Sequence, residues 1–365
     1  MVPFVDLASD YQTNKEEIEK AIHKVLASGW FILGPCVEEF ENNFSRYINT
    51  KAAVGVASGT EAIQLALVSA GVKLGDGVIV PANAYPTAFA IAASGAKPQL
   101  VDIDGETFLM DASQIEKTIT KETKFIMAVH LYGQPVEMTS LLRIARKHKL
   151  ILIEDCAQAH GATYKNKHVG SFGLSGCFSF YPTKNLGAYG DGGMVVTNSR
   201  KIAHQLRKLR NYGEEKRYES VALGINSRLD ELQAAILTVK LKLLDKDNFR
   251  RQKAAEYYRY LLKKTDIQLL PERKLCRQVY HLFVIRVKNR DGLKEYLSKK
   301  GIMTGIHYPS PIHYQESFSY LGHKIGDFPV AEKACPEILS LPIFPQITKK
   351  QQEEVASSIN EFYEK

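Results

Sequence analysis

Lys184 lies in the stretch Ser179-Phe180-Tyr181-Pro182-Thr183-Lys184-Asn185-Leu186-Gly187, after an apolar run and just before Gly190, Gly192 and Gly193. Glycines there allow a tight turn on which a backbone can approach a ligand closely. Upstream, Asp155 ends the apolar run Leu150-Ile151-Leu152-Ile153, which reads as a buried strand. An amine on a turn and a carboxylate at a strand end are the two protein groups that pyridoxal 5'-phosphate chemistry requires. The lysine forms a Schiff base, and the acid keeps the pyridine nitrogen protonated so that the ring can accept electrons. Taken singly, each has a plainer reading: a solvated lysine, and an aspartate that shapes a strand end. The neighbours strengthen the pair. Gln158 follows Asp155 by three and reaches from the same loop toward a phenolic oxygen, and Ser179 precedes Lys184 by five and can donate to a phosphate. Ser58-Gly59-Thr60 opens an apolar helix whose first N–H groups and dipole suit an anion, although an ordinary helix cap would use the same residues.

These groups need a scaffold that brings distant segments together. Residues 14 to 28 carry Ile18, Ala21, Ile22, Val25 and Leu26 at helical spacing, and Gly29 stops the helix. Between about 50 and 200, short apolar runs at 54–56, 77–80, 99–101, 125–129 and 151–153 alternate with helical patterns near 60–71, 86–94, 113–118 and 139–148. Such alternation predicts an α/β fold, a mostly parallel sheet flanked by helices, with ligand loops at the carboxyl ends of the strands. Two long helical patterns follow, after Leu229 through Leu244 and from about Asn248 to Lys263. They suggest a junction, with a large domain over 1–245 and a smaller C-terminal α/β domain over 246–365. In the latter, 279–285 and 302–306 read as strands, and 291–300 and 348–363 as helices.

Together these motifs resemble the fold-type I pyridoxal phosphate enzymes, and more narrowly the sugar aminotransferases of the DegT/DnrJ/EryC1/StrS family. The resemblance runs from about Pro3 to about Glu361. It rests on Gly29-Trp30-Phe31-Ile32-Leu33-Gly34, Ser58-Gly59-Thr60, Glu154-Asp155-Cys156-Ala157-Gln158, Ser179 to Lys184, and Asn226 to Ala235. It implies that Lys184 carries the cofactor and Asp155 pairs with its ring nitrogen. Gln158 would contact the ring oxygen, Gly59, Thr60 and Ser179 would hold the phosphate, and Tyr85 would stack on the ring. Asn226 would reach the phosphate of a second subunit. For the substrate it implies Phe31, Tyr181, Arg228, His307, Tyr308 and His313, with Arg228 a candidate for the carboxylate of a glutamate donor. For Arg228, a structural ion pair with Asp230 or Glu231 is an equal alternative. The activity implied is amino transfer to a nucleotide-linked keto-sugar by a homodimer with shared active sites. The 210–213 and 224–231 segments most resemble the branch that aminates C3 of dTDP-linked 3-keto-6-deoxyhexoses. The runner-up is amination at C4 of a UDP- or GDP-linked sugar. Dehydratases of the same fold replace the lysine with histidine, so Lys184 argues against that activity. A non-catalytic regulator is disfavoured by the intact set Asp155, Gln158, Ser179 and Lys184.

Composition agrees with a globular enzyme: 365 residues, 45% hydrophobic and 24% charged. No apolar run approaches a membrane span, and Met1 to Asp6 resembles no signal peptide, so a cytoplasmic location is the default. The five cysteines, at 36, 156, 177, 276 and 335, form no C-x-x-C pair, which argues against a disulfide framework or a zinc site. His307 and His313 lack the acid or cysteine that would complete a metal set. The net charge of +8 favours anionic partners. No nucleic-acid module is visible. The basic excess at 201–217 reads equally as a solvated helix face or as a rim for a nucleotide diphosphate.

Overall fold

The structure, a computed structural model, describes residues 1–263, 265 and 267–364. Its centre is a seven-stranded sheet in the order Ala52–Val56, Gly193–Thr197, Ser175–Ser179, Ile151–Asp155, Thr123–Val129, Gly77–Pro81, Lys97–Val101. Only Gly193–Thr197 runs antiparallel to its neighbours. The central strands are buried almost throughout, which is why they read as continuous apolar runs rather than alternating ones. Helices Gly59–Ser69, Tyr85–Ala93, Ala112–Thr118 and Met138–His148 join the parallel strands, as the alternation predicts. The chain is therefore α/β with the sheet class expected.

Helices Leu7–Thr13, Pro35–Ile48 and Pro329–Ala334 escaped the sequence reading. Pro35–Ile48 begins with Pro35 after Gly34 and ends on Asn49 in the left-handed region, φ 61°. It buries Val37, Phe40, Phe44 and Ile48, which follow helical spacing. Phe40 and Phe44 pack on Phe178 and Phe180, with centroids 5.0 to 5.5 Å apart across the two pairs of elements. Phe178 and Phe180 lie on one face of their chain segment, so Ser179 between them faces the other way, toward the cavity.

A second apolar cluster gathers Tyr258, Phe283, Leu297, Leu339 and Ile359 with Val2 from the N-terminus. Its sheet is antiparallel, Gln268–Leu269, Phe283–Arg286, Ile338–Leu341. Helices Leu244–Leu262, Arg290–Lys299 and Lys349–Tyr363 flank it, the last opened by a capping box of Thr348 and Gln351. Two expectations need correction here. The strand expected at 279–285 begins only at Phe283. The segment 302–306 is no strand: Ile302 makes a single bridge to Val2 and Gly305 a single bridge to Ser340. The chain passes between two different partners there, so no ladder extends along it.

Candidate active site

Five segments that follow the carboxyl ends of parallel strands converge on one cavity of about 330 Å³. Ser58, Gly59 and Thr60 follow Ala52–Val56, and Ala84 and Thr87 follow Gly77–Pro81. His130 follows Thr123–Val129. Asp155 ends its own strand, with Gln158 just beyond, and Ser179 ends the fifth, with Tyr181 and Lys184 just beyond. This is the place where open α/β sheets bind ligands.

Lys184 is held by its neighbours. Its N–H donates to the Tyr181 carbonyl at 2.8 Å, and Ala188 N–H returns to the Phe180 carbonyl at 2.8 Å. A Cβ on Gly187 would lie 2.2 Å from the Pro182 carbonyl oxygen, so only glycine closes this turn. Asn185 anchors it, donating through Nδ2 to Asn248 Oδ1 at 2.8 Å and to the Val279 carbonyl at 2.9 Å. Burial pushes the Lys184 amine down to about 8, and the Asp155 charge opposes this. Three imidazoles are held neutral nearby, each mainly by burial and then by the Lys184 charge. His160 is pushed down to about 3, His307 to about 4, and His281 well below its ordinary value.

Asp155 is buried, and each carboxylate oxygen already accepts one hydrogen bond. Ala157 N–H donates to Oδ1 at 3.0 Å, and the buried Thr87 hydroxyl donates to Oδ2 at 2.7 Å. Gln158 has its amide orientation set from behind, because Oε1 accepts Tyr132 N–H at 2.7 Å. Nε2 is therefore the donor left for other partners, and Tyr308 Oη stands 3.4 Å from it. Behind this loop, buried Glu154 accepts from Gly170, Phe172 and Gly173 N–H at 2.7, 2.7 and 2.8 Å. His130 Nδ1 accepts Val136 N–H at 3.2 Å, so its Nε2 carries the proton donated to Glu154 at 3.1 Å. His130, Glu154 and Cys156 lie close enough to suggest a metal site. Glu154 is saturated by these donors, so the group is a brace for the Asp155 loop instead.

Ser58 Oγ caps its helix through Glu61 N–H at 3.2 Å, leaving Gly59 and Thr60 at the open start, beside the cavity. A Cβ on Gly59 would come within 2.5 Å of Ser179 Cβ. Glycine thus lets the helix start and Ser179 share one side of the pocket, a cradle that fits a phosphate.

The other predicted residues divide. Tyr308 and Tyr181 line the cavity. Tyr85 packs its ring against Tyr308 at 5.9 Å, and His307 bonds through Nδ1 to Ser340 Oγ at 2.9 Å while its carbonyl accepts the Tyr132 hydroxyl at 2.8 Å. Asn226, Phe31 and Arg228 are not among the cavity's lining residues. Asn226 is exposed and bridges to Asn211, Phe31 is 46% exposed, and Arg228 donates to Asn211 Oδ1 at 2.9 Å. Glu231, offered as an ion-pair partner for Arg228, is buried and instead accepts from Gly34, Cys36 and Val37 N–H. His313 is drawn into a separate cluster, with Nε2 2.9 Å from Glu332 Oε1 and its ring against Phe328 and Tyr314. Thr87, His130 and Glu154 were missed as site residues. Glu154 was visible beside Asp155, but nothing local marks Thr87 or His130.

Comparison with known proteins places the chain in a family. A dTDP-3-amino-3,6-dideoxy-alpha-D-galactopyranose transaminase of Aneurinibacillus thermoaerophilus is 47% identical over 99% of both chains. A protein of Geobacillus stearothermophilus named a pleiotropic regulatory protein is 45% identical over 99% of this chain and 98% of its own. The crystal structure of DesV from S. venezuelae superposes with a TM-score of 0.97 at 42% identity, covering 100% of this chain and 99% of that one. Residues 12–360 match the DegT/DnrJ/EryC1/StrS aminotransferase family, and the chain belongs to it.

Proposed function

We infer that this protein transfers an amino group from glutamate to C3 of a dTDP-linked 3-keto-6-deoxyhexose, using pyridoxal 5'-phosphate. The observation that carries the reading is the convergence of Lys184, Asp155, Gln158, Ser179 and Gly59 on one cavity in a chain of this family. The C3 and dTDP assignments follow the transaminase from A. thermoaerophilus, whose product carries its amine at C3. The residues fit the cofactor: Gly59, Thr60 and Ser179 would hold its phosphate, Gln158 Nε2 would donate to its phenolic oxygen, and Asp155 would face its ring nitrogen. When bound, the cofactor supplies an electron sink for a carbanion at the donor's alpha carbon. Lys184 would bind its aldehyde carbon, and once the amino donor has taken its place there the freed amine would take the proton from the donor's alpha carbon and deliver it to that former aldehyde carbon. Asp155 would hold the proton on the ring nitrogen. A regulatory protein that does no chemistry is disfavoured by the intact set Asp155, Gln158, Ser179 and Lys184 around one cavity.

The same reading makes the enzyme a homodimer with shared sites. It is supported by the placement of Asn226 and Arg228 away from their own chain's cavity. It is supported also by exposed Trp30, Phe31, Tyr212 and Tyr218 beside an open hollow that Arg228 and Arg217 line. Division into domains at 245/246 is supported by the separate core around Tyr258, although helix Leu244–Leu262 belongs to both cores, with Leu244 in the first and Ala254 onward in the second. Among the described residues no helix is long and apolar enough to cross a membrane. We place the reaction in the cytoplasm, where nucleotide sugars are made and consumed.

A panel of keto-sugar nucleotides tests the activity. The protein, loaded with cofactor and given glutamate, should convert the dTDP-3-keto-6-deoxyhexose to a product whose proton NMR places nitrogen on C3. Turnover only of 4-keto substrates, or of none, would overturn the assignment.

A further inference from the structure

Asp155 is the acid on which the proposed chemistry turns, yet its own strand fixes only its backbone. Val129 pairs with Asp155 in parallel register, and His130 N–H donates to the Asp155 carbonyl at 3.0 Å. The carboxylate could still rotate about its side-chain torsions. Two donors from different elements prevent that. One is Ala157 N–H, from the same loop, on Oδ1. The other is the Thr87 hydroxyl, from helix Tyr85–Ala93, on Oδ2.

Thr87 is suited to this work. It is 2% exposed, so water does not compete for its hydroxyl. A threonine in a helix commonly turns its hydroxyl back to a carbonyl three or four residues earlier. Here its hydrogen bond, among the described residues, goes to Asp155 instead. Its branched side chain has few rotamers, so the donor stays aimed. A hydrogen bond to an ionised carboxylate is about twice as strong as a neutral one and is directional. With one donor on each oxygen, each oxygen keeps a lone pair free, and Asp155 lines the cavity with them.

We propose that Thr87 is a positioning residue for the transfer reaction, acting through Asp155 to hold the carboxylate aimed at the cofactor's ring nitrogen. The proposal rests on the cofactor reading above. Thr87 also lines the cavity, but in this role it acts through Asp155 and sets how firmly the ring proton is held.

The test uses the holoenzyme loaded with cofactor labelled with 15N in the ring, whose resonance reports the protonation of that nitrogen directly. Wild type and Thr87→Ser, which keeps the donor, should show the protonated ring at neutral pH. Thr87→Val, which keeps the shape and removes the donor, should shift the resonance toward neutral pyridine. Its kcat should fall roughly ten- to hundredfold with KM for the sugar little changed. If the valine variant does not fold, Thr87→Ala carries the same comparison. A protonated ring and near-normal kcat without the donor would overturn the proposal alone, as would a serine variant no better than valine. A wild-type protein that takes up no cofactor would overturn the functional reading as well.

Discussion

The lowered Lys184 amine gives a pH signature that can be read before any sugar is supplied. At about 8 rather than the ordinary 10.5, roughly a tenth of the amine is neutral at pH 7, against about 0.03% for a free lysine. Neutral amine is the species that attacks an aldehyde, so burial alone should make capture of the cofactor about 300-fold faster than an ordinary lysine of equal intrinsic reactivity. The assay is stopped-flow capture of pyridoxal 5'-phosphate by apo-protein, followed at the visible band. Dividing each rate by that of an Nα-acetyl-lysine amide under the same conditions cancels the cofactor's own titration. The ratio should be flat below about pH 8 and fall toward a constant between about 8 and 10.5, as the free lysine also becomes neutral. A ratio independent of pH over that window would refute a depressed amine. The same shift costs the apo-protein stability. The unfolded chain holds this proton between about 8 and 10.5 while the folded one has lost it, so apo stability should rise with pH across that window. By the same argument Lys184→Met should melt higher than wild-type apo-protein at pH 7, by an increment of roughly 1–3 kcal/mol. Denaturant titration of both measures it, and a methionine variant less stable than wild type would contradict a desolvation cost.

Asp155→Asn should lose at least about a hundredfold in kcat while holding the cofactor phosphate nearly as well, because an amide cannot stabilise a protonated ring nitrogen; turnover within a few-fold of wild type would remove Asp155 from its role. Gly59→Ala puts a Cβ 2.5 Å from Ser179 Cβ, so the helix start must move away from the strand. Cofactor affinity, titrated at the visible band, should weaken roughly tenfold or more, and an unchanged affinity would show that this cradle holds no phosphate. Mixing inactive Lys184→Ala with an inactive Asn226 variant should restore about half of wild-type activity per mixed dimer, since one of its two sites then has a complete set. No recovery despite proven subunit exchange would assign each pocket to a single chain.

The sequence reveals the sheet because buried parallel strands are continuous apolar runs, and it reveals Lys184 and Asp155 because each sits at an interruption in such a run. Helix Pro35–Ile48 was equally legible in principle: Val37, Phe40, Phe44 and Ile48 follow the helical period behind Gly34-Pro35. The glycine-bounded segment Gly29 to Gly34 runs directly into it and masks its start. The 302–306 error has a different cause. Its apolar residues are real, but pairing is a property of neighbours, and Ile302 and Gly305 find partners from opposite ends of the chain.

Thr87 and His130 mark the boundary of what spacing along a chain can show. Thr87 is 68 residues from the carboxylate it serves, in a helix that looks like any apolar crossover helix. His130 is 24 residues from Glu154 and resembles a strand-end histidine until its two nitrogens are accounted for separately. Both become meaningful only because the parallel sheet places the ends of adjacent strands side by side. His130 ends up next to Asp155 through the Val129–Asp155 register, and Glu154, pointing to the other side of its strand, is met there by three backbone donors from 170–173. One strand end thus serves two purposes at consecutive residues. Glu154 spends its charge on fixing the loop, and Asp155 is left with free lone pairs facing the cavity. The acid that is fully satisfied is structural, and the acid that is half satisfied is the one available for chemistry.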